Sequence, residues 1–102
     1  MCGFTGFYLN HEKSELDLEN IVAEMADTLE HRGPDDKGVW SDPSNGIALG
    51  HRRLSIVDLS PSGHQPMSSR NNQYVIALNG EIYNHVELRK ELDLINPGHK
   101  WN

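Results

Sequence analysis

The residue of this sequence best suited to covalent chemistry is Cys2, the only cysteine in 102 residues. Its small side chain predicts removal of the initiator Met1, which leaves a free α-amino group beside the thiol. An α-amine titrates close to neutral pH and a thiol slightly above it, so the amine can accept the thiol proton. A nucleophile and its general base would then belong to one residue. The alternative interpretation is an inert cysteine buried near a terminus.

Two further pairs of residues are suited to completing such a site. The Asn79 side-chain amide and the backbone N–H of Gly80 can together hold a tetrahedral oxyanion. The alternative is an ordinary Asn-Gly turn. Arg52 and Arg53 precede the apolar run 54–57, and an arginine there can bind a substrate carboxylate through two parallel hydrogen bonds. The alternative is a pair of surface arginines.

Hydrophobic patterning predicts the strands that must position these residues. They are a strand over residues 2–9, a hairpin over 39–50, and strands over 54–57 and 74–78. The last is a continuous apolar run, which favours a strand buried on both faces. Residues 60–73 are polar and contain Pro61 and Pro66, so we expect a long loop, often a functional feature in compact domains.

Two helices are predicted, one over residues 15–30 and one beginning at Asn84. The apolar faces are formed by Leu18, Ile21, Val22, Met25 and Leu29 in the first helix and by Leu88 and Leu92 in the second. The expected capping pairs are Ser14 with Asp17 and Asn84 with Glu87. Four or five strands with two helices indicate an α+β fold, and the length fits one domain.

Composition excludes several functional classes. With 15 acidic and 9 basic residues the chain carries a formal charge of -6, which disfavours binding to nucleic acids and anionic membranes. No apolar run is long enough to span a bilayer, and the N-terminus lacks a signal peptide, so we expect a cytoplasmic protein. Six histidines raise the possibility of a metal site, but their spacing provides no usual ligand pair, so no metal is expected.

Five short motifs lie in order along nearly the whole chain. They are Met1-Cys2-Gly3 with Gly6; His31-Arg32-Gly33-Pro34-Asp35; His51-Arg52-Arg53-Leu54-Ser55-Ile56-Val57-Asp58; Gly63-His64-Gln65-Pro66-Met67; and Asn79-Gly80-Glu81-Ile82-Tyr83-Asn84. Together they resemble the glutamine-hydrolysing asparagine synthetase family, in its N-terminal class II glutamine amidotransferase domain. The resemblance implies a four-layer αββα N-terminal-nucleophile hydrolase sandwich, of which residues 1–102 would form about the first half.

The resemblance also implies a reaction and a set of roles. Cys2, freed of Met1, would attack the glutamine side-chain amide, form a glutamyl thioester and release ammonia. Asn79 and Gly80 match the oxyanion hole, and Arg53 matches the arginine that binds the glutamine α-carboxylate, whereas Arg52 stands where relatives vary. The other residues that match the glutamine pocket are Leu54, Ser55, Ile56, Val57 and Glu81.

Two features of the family are missing from these 102 residues. One is a later Gly-Ser-Asp segment, whose aspartate holds the substrate α-amine. The other is the C-terminal synthetase domain, which binds ATP and Mg²⁺, so no cofactor is expected here. The expected partners are glutamine, this synthetase domain in the full-length protein and a second copy in a homodimer. Because half a sandwich leaves sheet edges and apolar faces uncovered, we expect the 102-residue chain alone to fold poorly or associate.

Other functions stay open at this point. Another class II amidotransferase, resembling glucosamine-6-phosphate synthase or phosphoribosyl-pyrophosphate amidotransferase, shares the same chemistry. Within the asparagine synthetase branch, the ammonia acceptor can also be a sugar or a secondary metabolite. A non-catalytic fragment that binds glutamine without turnover is a third interpretation.

Overall fold

The computed structural model describes residues 2–9, 17–55 and 60–98. These ranges contain five strands and two α-helices, with four of the strands between the helices. In chain order they are β1 (Gly3–Tyr8), α1 (Leu18–Asp27), β2 (Asp36–Asp42), β3 (Ile47–Arg53), β4 (Met67–Ser68), β5 (Val75–Ile76) and α2 (His85–Ile95). A 3₁₀ turn, Pro61–Gly63, lies between β3 and β4. Both sheets are antiparallel, in agreement with the predicted α+β class. The four-layer sandwich stays a prediction.

The larger sheet has the strand order β1-β3-β2. Its β2–β3 hairpin confirms the one predicted over 39–50, although each strand is longer and the ladder continues to the pair Asp36 and Arg53. The turn is built as its sequence predicts, because the Asp42 carboxylate accepts hydrogen bonds from Ser44 (2.9 Å) and Asn45 (2.7 Å). These hydrogen bonds lower the pKa of Asp42. Gly46 adopts a left-handed φ of 69°, which glycine accepts without strain.

Helix α1 packs on one face of this sheet and forms the core. Its buried residues Leu18 and Val22 form a cluster with Ala48 of β3, and its buried Ala26 lies over Gly50. Gly50 allows the close approach, since a Cβ there would lie 3.2 Å from the Cβ of Ala26. The predicted apolar stripe is confirmed at Leu18 and Val22, whereas Ile21 is 38% exposed and Met25 is only partly buried.

The ends of α1 differ from the prediction. The helix begins after Asp17, whose side chain accepts a hydrogen bond from the backbone N–H of Asn20 at 3.1 Å. It ends at Asp27 rather than at residue 30, because the next residues form turns in which the Thr28 hydroxyl bonds the Met25 carbonyl. Residues 15–16 and the predicted cap Ser14 lie outside the described residues.

Two predicted strands differ from the structure: one is absent from the described part of its range, and the other is shorter and exposed. Leu54 and Ser55 form no strand, because β3 ends at Arg53, and residues 56–57 lie outside the described part. The strand over 74–78 shrinks to β5, which pairs only with β4 and is not buried: Ile76 is 57% exposed. No described element packs on β5, so its apolar side chains are left on the surface. The predicted loop 60–73 holds the 3₁₀ turn and β4.

Helix α2 follows Asn84 as predicted, but the expected capping pair does not form. The Asn84 side chain makes no capping hydrogen bond, and the helix has no buried residue. Its predicted apolar residues Leu88 and Leu92 are 40% and 48% exposed. Neither of the two described helices has the length and apolar character to cross a bilayer.

Candidate functional site

Cys2 lies immediately before β1 and contacts the chain just after β3. The backbone N–H of Leu54 donates a hydrogen bond to the Cys2 sulfur at 3.3 Å, and the thiol lies 3.8 Å from the Leu54 carbonyl oxygen. The Nε of Arg32 donates to the Cys2 carbonyl oxygen at 3.2 Å. These contacts fix both the backbone and the sulfur of the predicted nucleophile, which is partly buried.

The end of β3 separates the two arginines onto opposite faces of the sheet. Arg52 lies on the α1 face, with its guanidinium 4.0 Å from Asp27 and 3.8 Å from Glu30. Successive residues of a strand point to opposite faces, so Arg53 lies on the other one. There its Nη1 donates to the Ser60 carbonyl oxygen at 2.8 Å. This separation favours Arg53 over Arg52 as the residue that meets a ligand, because the Arg52 guanidinium lies beside Asp27 and Glu30.

A polar cavity of about 280 Å³ adjoins the Arg53 guanidinium. Its lining residues carry carboxylates, hydroxyls, an imidazole and this guanidinium; they are Asp35, Asp36, Arg53, Ser55, Ser60, Pro61 and His64. The backbone N–H of Ser55 donates to the Asp35 carboxylate at 2.8 Å, and the His64 imidazole bonds Asp36. A cavity of this size and charge suits a small zwitterionic molecule, whose carboxylate would face Arg53.

The loop 31–35 braces the end of β3. The Gly33 carbonyl accepts a hydrogen bond from Arg52 Nε at 2.8 Å, and the Asp35 N–H donates to the Arg53 carbonyl at 3.0 Å. Gly33 is buried so close to Arg52 that a Cβ there would collide with the Arg52 backbone. Only glycine fits this position of the His-Arg-Gly-Pro-Asp motif without displacing β3. The same loop also connects Cys2 to β3, because Arg32 binds the Cys2 carbonyl oxygen.

His51 is a buried histidine to which the sequence analysis assigns no role beyond its place in the third motif. Its side chain is 1% exposed, and its Nε2 donates a hydrogen bond to the carbonyl oxygen of Leu78 at 3.1 Å. Burial lowers the pKa of His51, and the bond to Leu78 partly opposes this effect. The sequence contains one indication of a role for His51. Because it lies two residues before Arg53, both side chains are on the same face of the strand.

We expect acid to destabilise the protein through His51. Because its folded pKa lies below the ordinary value of 6.5, the unfolded state binds more protons once the pH falls below that value. Stability is therefore complete above about pH 6.5 and declines toward the folded pKa. The free energy of unfolding in urea, measured at pH 7.5 and 5.5, should fall more in the wild type than in His51→Gln, which retains a donor but does not titrate. An equal fall in both proteins would contradict this assignment.

The predicted oxyanion residues lie on the surface, directly after Leu78. Asn79, Gly80 and Glu81 are exposed, and within the described ranges none of them hydrogen-bonds to Cys2. A Cβ on Gly80 would approach only a side-chain carbon of Leu78, at 3.9 Å. The segment is nevertheless tied to the Arg53 face of the sheet, because Leu78 directly precedes Asn79 and bonds His51.

The remaining predicted pocket residues divide into two groups. Leu54 contacts the Cys2 sulfur and Ser55 lines the polar cavity, so the structure places both beside predicted site residues. Ile56 and Val57 lie outside the described residues. Across residues 2–9, 17–55 and 60–98, no three His, Cys, Asp or Glu side chains are arranged to hold a metal ion.

Comparison with known proteins identifies the family of this chain. A family model described as a glutamine amidotransferase domain matches residues 1–102. Asparagine synthetase [glutamine-hydrolyzing] 1 of Bacillus subtilis is 44% identical over 94 residues, which cover 91% of this chain and 14% of the relative. Asparagine synthetase B [glutamine-hydrolyzing] of Escherichia coli is 38% identical over 91 residues, covering 89% of this chain and 16% of the relative.

A relative with a different name shares the same segment. Amidase chry2 of Gibberella zeae is 37% identical over 100 residues, covering 90% of this chain and 15% of the relative. The chain therefore spans only 14–16% of the length of these relatives. No solved structure matches the chain.

Proposed function

The chain belongs to the glutamine amidotransferase domain family, and from that premise we propose that it hydrolyses the side-chain amide of glutamine with Cys2 as the nucleophile. The observation that carries the proposal is the arrangement at the end of β3. Leu54 binds the Cys2 sulfur at 3.3 Å, and the preceding residue, Arg53, lines a polar cavity. The proposed nucleophile and the proposed carboxylate-binding group are therefore both positioned by two adjacent residues, Arg53 and Leu54.

The chemistry follows from the functional groups at the N-terminus. After removal of Met1, the α-amine of Cys2 accepts the thiol proton, and the sulfur attacks the amide carbon of glutamine. The Asn79 amide and the Gly80 N–H stabilise the oxyanion of the tetrahedral intermediate. Collapse of this intermediate breaks the carbon–nitrogen bond, and the proton moves from the α-amine to the departing nitrogen, which leaves as ammonia. Water then cleaves the glutamyl thioester and releases glutamate.

Substrate binding is assigned to the polar cavity on the sheet face opposite α1. The Arg53 guanidinium binds the glutamine α-carboxylate through charge-assisted hydrogen bonds. Leu54 and Ser55 are assigned to the same pocket, and Glu81 to a substrate contact beside Asn79 and Gly80. The pocket roles of Ile56 and Val57, which lie outside the described residues, follow from the resemblance to the family alone. What supports this assignment is the polar cavity, which Arg53 and Ser55 both line.

Replacing Arg53 with alanine tests the substrate assignment. A charge-assisted hydrogen bond contributes about 1.5–3 kcal/mol, so we expect the KM for glutamine to rise roughly 10- to 150-fold while kcat changes little. The measurement is glutamate release from the intact protein against glutamine concentration. Arg70→Ala, at an exposed turn, is the matched control. An unchanged KM in Arg53→Ala would remove this residue from the pocket.

The ammonia is used outside these 102 residues, in a longer protein. We propose that it amidates aspartate in a C-terminal synthetase domain, in an ATP-dependent step, because the matched relatives that are several times longer are named asparagine synthetases. This chain has no Gly-rich phosphate loop, so we assign no ATP or Mg²⁺ ligand to its residues. Formation of asparagine from aspartate, ATP and ammonia by the intact protein tests this step.

A second acceptor is the main alternative. The match to amidase chry2 shows that this segment also occurs in a protein not named an asparagine synthetase. If the intact protein releases glutamate from glutamine but makes no asparagine, an acceptor other than aspartate is supported. If glutamine raises the melting temperature but no glutamate appears, the chain is a glutamine-binding module without turnover.

A further inference from the structure

Both backbone polar groups of Leu78 are bound by side chains from distant segments. The Nε2 of His51 donates to the Leu78 carbonyl oxygen at 3.1 Å, and the Leu78 N–H donates to Oε1 of Gln65 at 2.6 Å. Strand residues usually satisfy these groups in a backbone ladder, but β5 already ends at Ile76. Two side chains therefore replace the ladder at this residue. We call His51 and Gln65 the Leu78 clamp.

The first side chain of the clamp is rigidly held. His51 is 1% exposed and lies in the central strand of the larger sheet. A buried imidazole without a partner is costly, so its bond to Leu78 is strongly favoured over an open arrangement. The carbonyl of Leu78 thus has a fixed position relative to β3.

The second residue of the clamp, Gln65, has its backbone in close contact with the sheet. Gly38 of β2 lies opposite His51 in the register, and a Cβ at this glycine would collide with the Gln65 carbonyl oxygen. The backbone of Gln65 therefore rests directly on the sheet, on the same face as the His51 side chain. Both parts of the clamp are supported by the strands that carry the candidate site.

We propose that the Leu78 clamp positions Asn79 and Gly80 for the oxyanion of glutamine hydrolysis, an inference that rests on the proposed function. Four consecutive residues carry all three tasks. His51 holds the oxyanion segment through Leu78, Arg53 binds the substrate carboxylate, and Leu54 binds the thiol. Along a strand, His51 and Arg53 are about 7 Å apart. His51 and Gln65 are positioning residues, since they act through the peptide that follows Leu78.

Matched substitutions at Gln65 test the clamp. Gln65→Met keeps the length of the side chain but removes the acceptor, whereas Gln65→Glu keeps an oxygen acceptor. Because a misplacement of about 1 Å near the reacting centre can cost roughly 100-fold, we expect Gln65→Met to lower kcat about 10- to 100-fold. The KM for glutamine should stay within about twofold, and Gln65→Glu should recover most of the rate. Gln73→Met, the same change in an exposed turn, is the control.

His51 provides a second pair of variants. His51→Gln retains an N–H donor near the position of Nε2, and His51→Leu does not, so the second should lower kcat more than the first. Because His51 is fully buried, His51→Leu can fail to fold, and the Gln65 pair then decides the question alone. Hydrogen exchange of the Leu78 amide adds a readout independent of activity: it should accelerate in Gln65→Met and stay slow in Gln73→Met.

The outcomes separate this inference from the proposed function. If the wild type releases no glutamate, the proposed function fails and the positioning role fails with it. If the wild type is active but folded Gln65→Met keeps kcat within about threefold, only the clamp is overturned. The clamp is also overturned if Gln65→Glu loses as much rate as Gln65→Met, since the acceptor would then be irrelevant.

Discussion

Replacement of Cys2 by alanine is expected to abolish the release of glutamate from glutamine. The substitution removes the nucleophile, and loss of a nucleophile in comparable covalent mechanisms lowers kcat by roughly 10⁴-fold or more. Any ammonia-dependent reaction of the intact protein should persist, because it requires no thiol in this chain. The measurement is glutamate production in parallel with the ammonia-dependent rate. Loss of both activities would indicate misfolding instead of lost chemistry.

A stability control belongs with this experiment. The Cys2 sulfur accepts a hydrogen bond from Leu54, so alanine also removes a structural contact. Cys2→Ser keeps a hydroxyl in this position but is a poorer nucleophile, and it should fold like the wild type while remaining nearly inactive. A Cys2→Ala protein that retains a tenth of the wild-type glutaminase rate would contradict the assignment of the nucleophile.

The second large effect is expected from Asn79→Ala. Loss of one oxyanion donor typically lowers the rate 10²- to 10³-fold, equivalent to about 3–4 kcal/mol, while the substrate still binds. We therefore expect kcat to fall in this range and the KM for glutamine to change little. Steady-state glutamate release measures both quantities.

The position of Asn79 makes this prediction informative. Because Asn79 is exposed, the substitution should leave the free energy of unfolding nearly unchanged. Asn71→Ala, in an exposed turn, is a suitable comparison. A fall in kcat of less than about threefold in an active, full-length protein would remove Asn79 from the catalytic site.

The sequence predicted best those elements whose signal is local. The β2–β3 hairpin follows from the polar turn 42–46 between two apolar stretches, and its Asp42 bonds are those that such turn residues usually form. Helix α1 follows from the spacing of Leu18 and Val22, which places both on the sheet. These patterns need no knowledge of distant segments.

The errors arose where distant contacts decide the structure. The strand near residue 54 was placed in the apolar run, but β3 instead runs through His51, Arg52 and Arg53. These polar residues are tolerated because each finds partners: Arg52 bonds Gly33, for example, and His51 bonds Leu78. The opposite error concerns residues 74–78. Their apolar character predicts burial, but among the described elements only β4 contacts β5, and it does not cover its faces.

The candidate site was also predicted only in part. Cys2 and Arg53 have suitable chemistry, but only the resemblance to the family selects them. In the structure Arg53 ends β3, and the next residue, Leu54, binds the Cys2 sulfur. Gln65 has no such signal, because one side chain bonding one backbone group leaves no periodic pattern, and His51 has only its spacing of two residues from Arg53. Gly38 carried a faint signal, since a glycine within a strand often marks a close approach of another segment.

The central claim is that Cys2 is a processed N-terminal nucleophile in a glutamine pocket. The most direct test is the intact mass of the protein before and after exposure to 6-diazo-5-oxonorleucine, a reactive glutamine analogue, with Cys2→Ala as the control. We predict a mass that lacks one methionine, followed by a single adduct on Cys2 that is absent from the control. Retention of Met1, or a processed protein that acquires no adduct on Cys2, would contradict the claim.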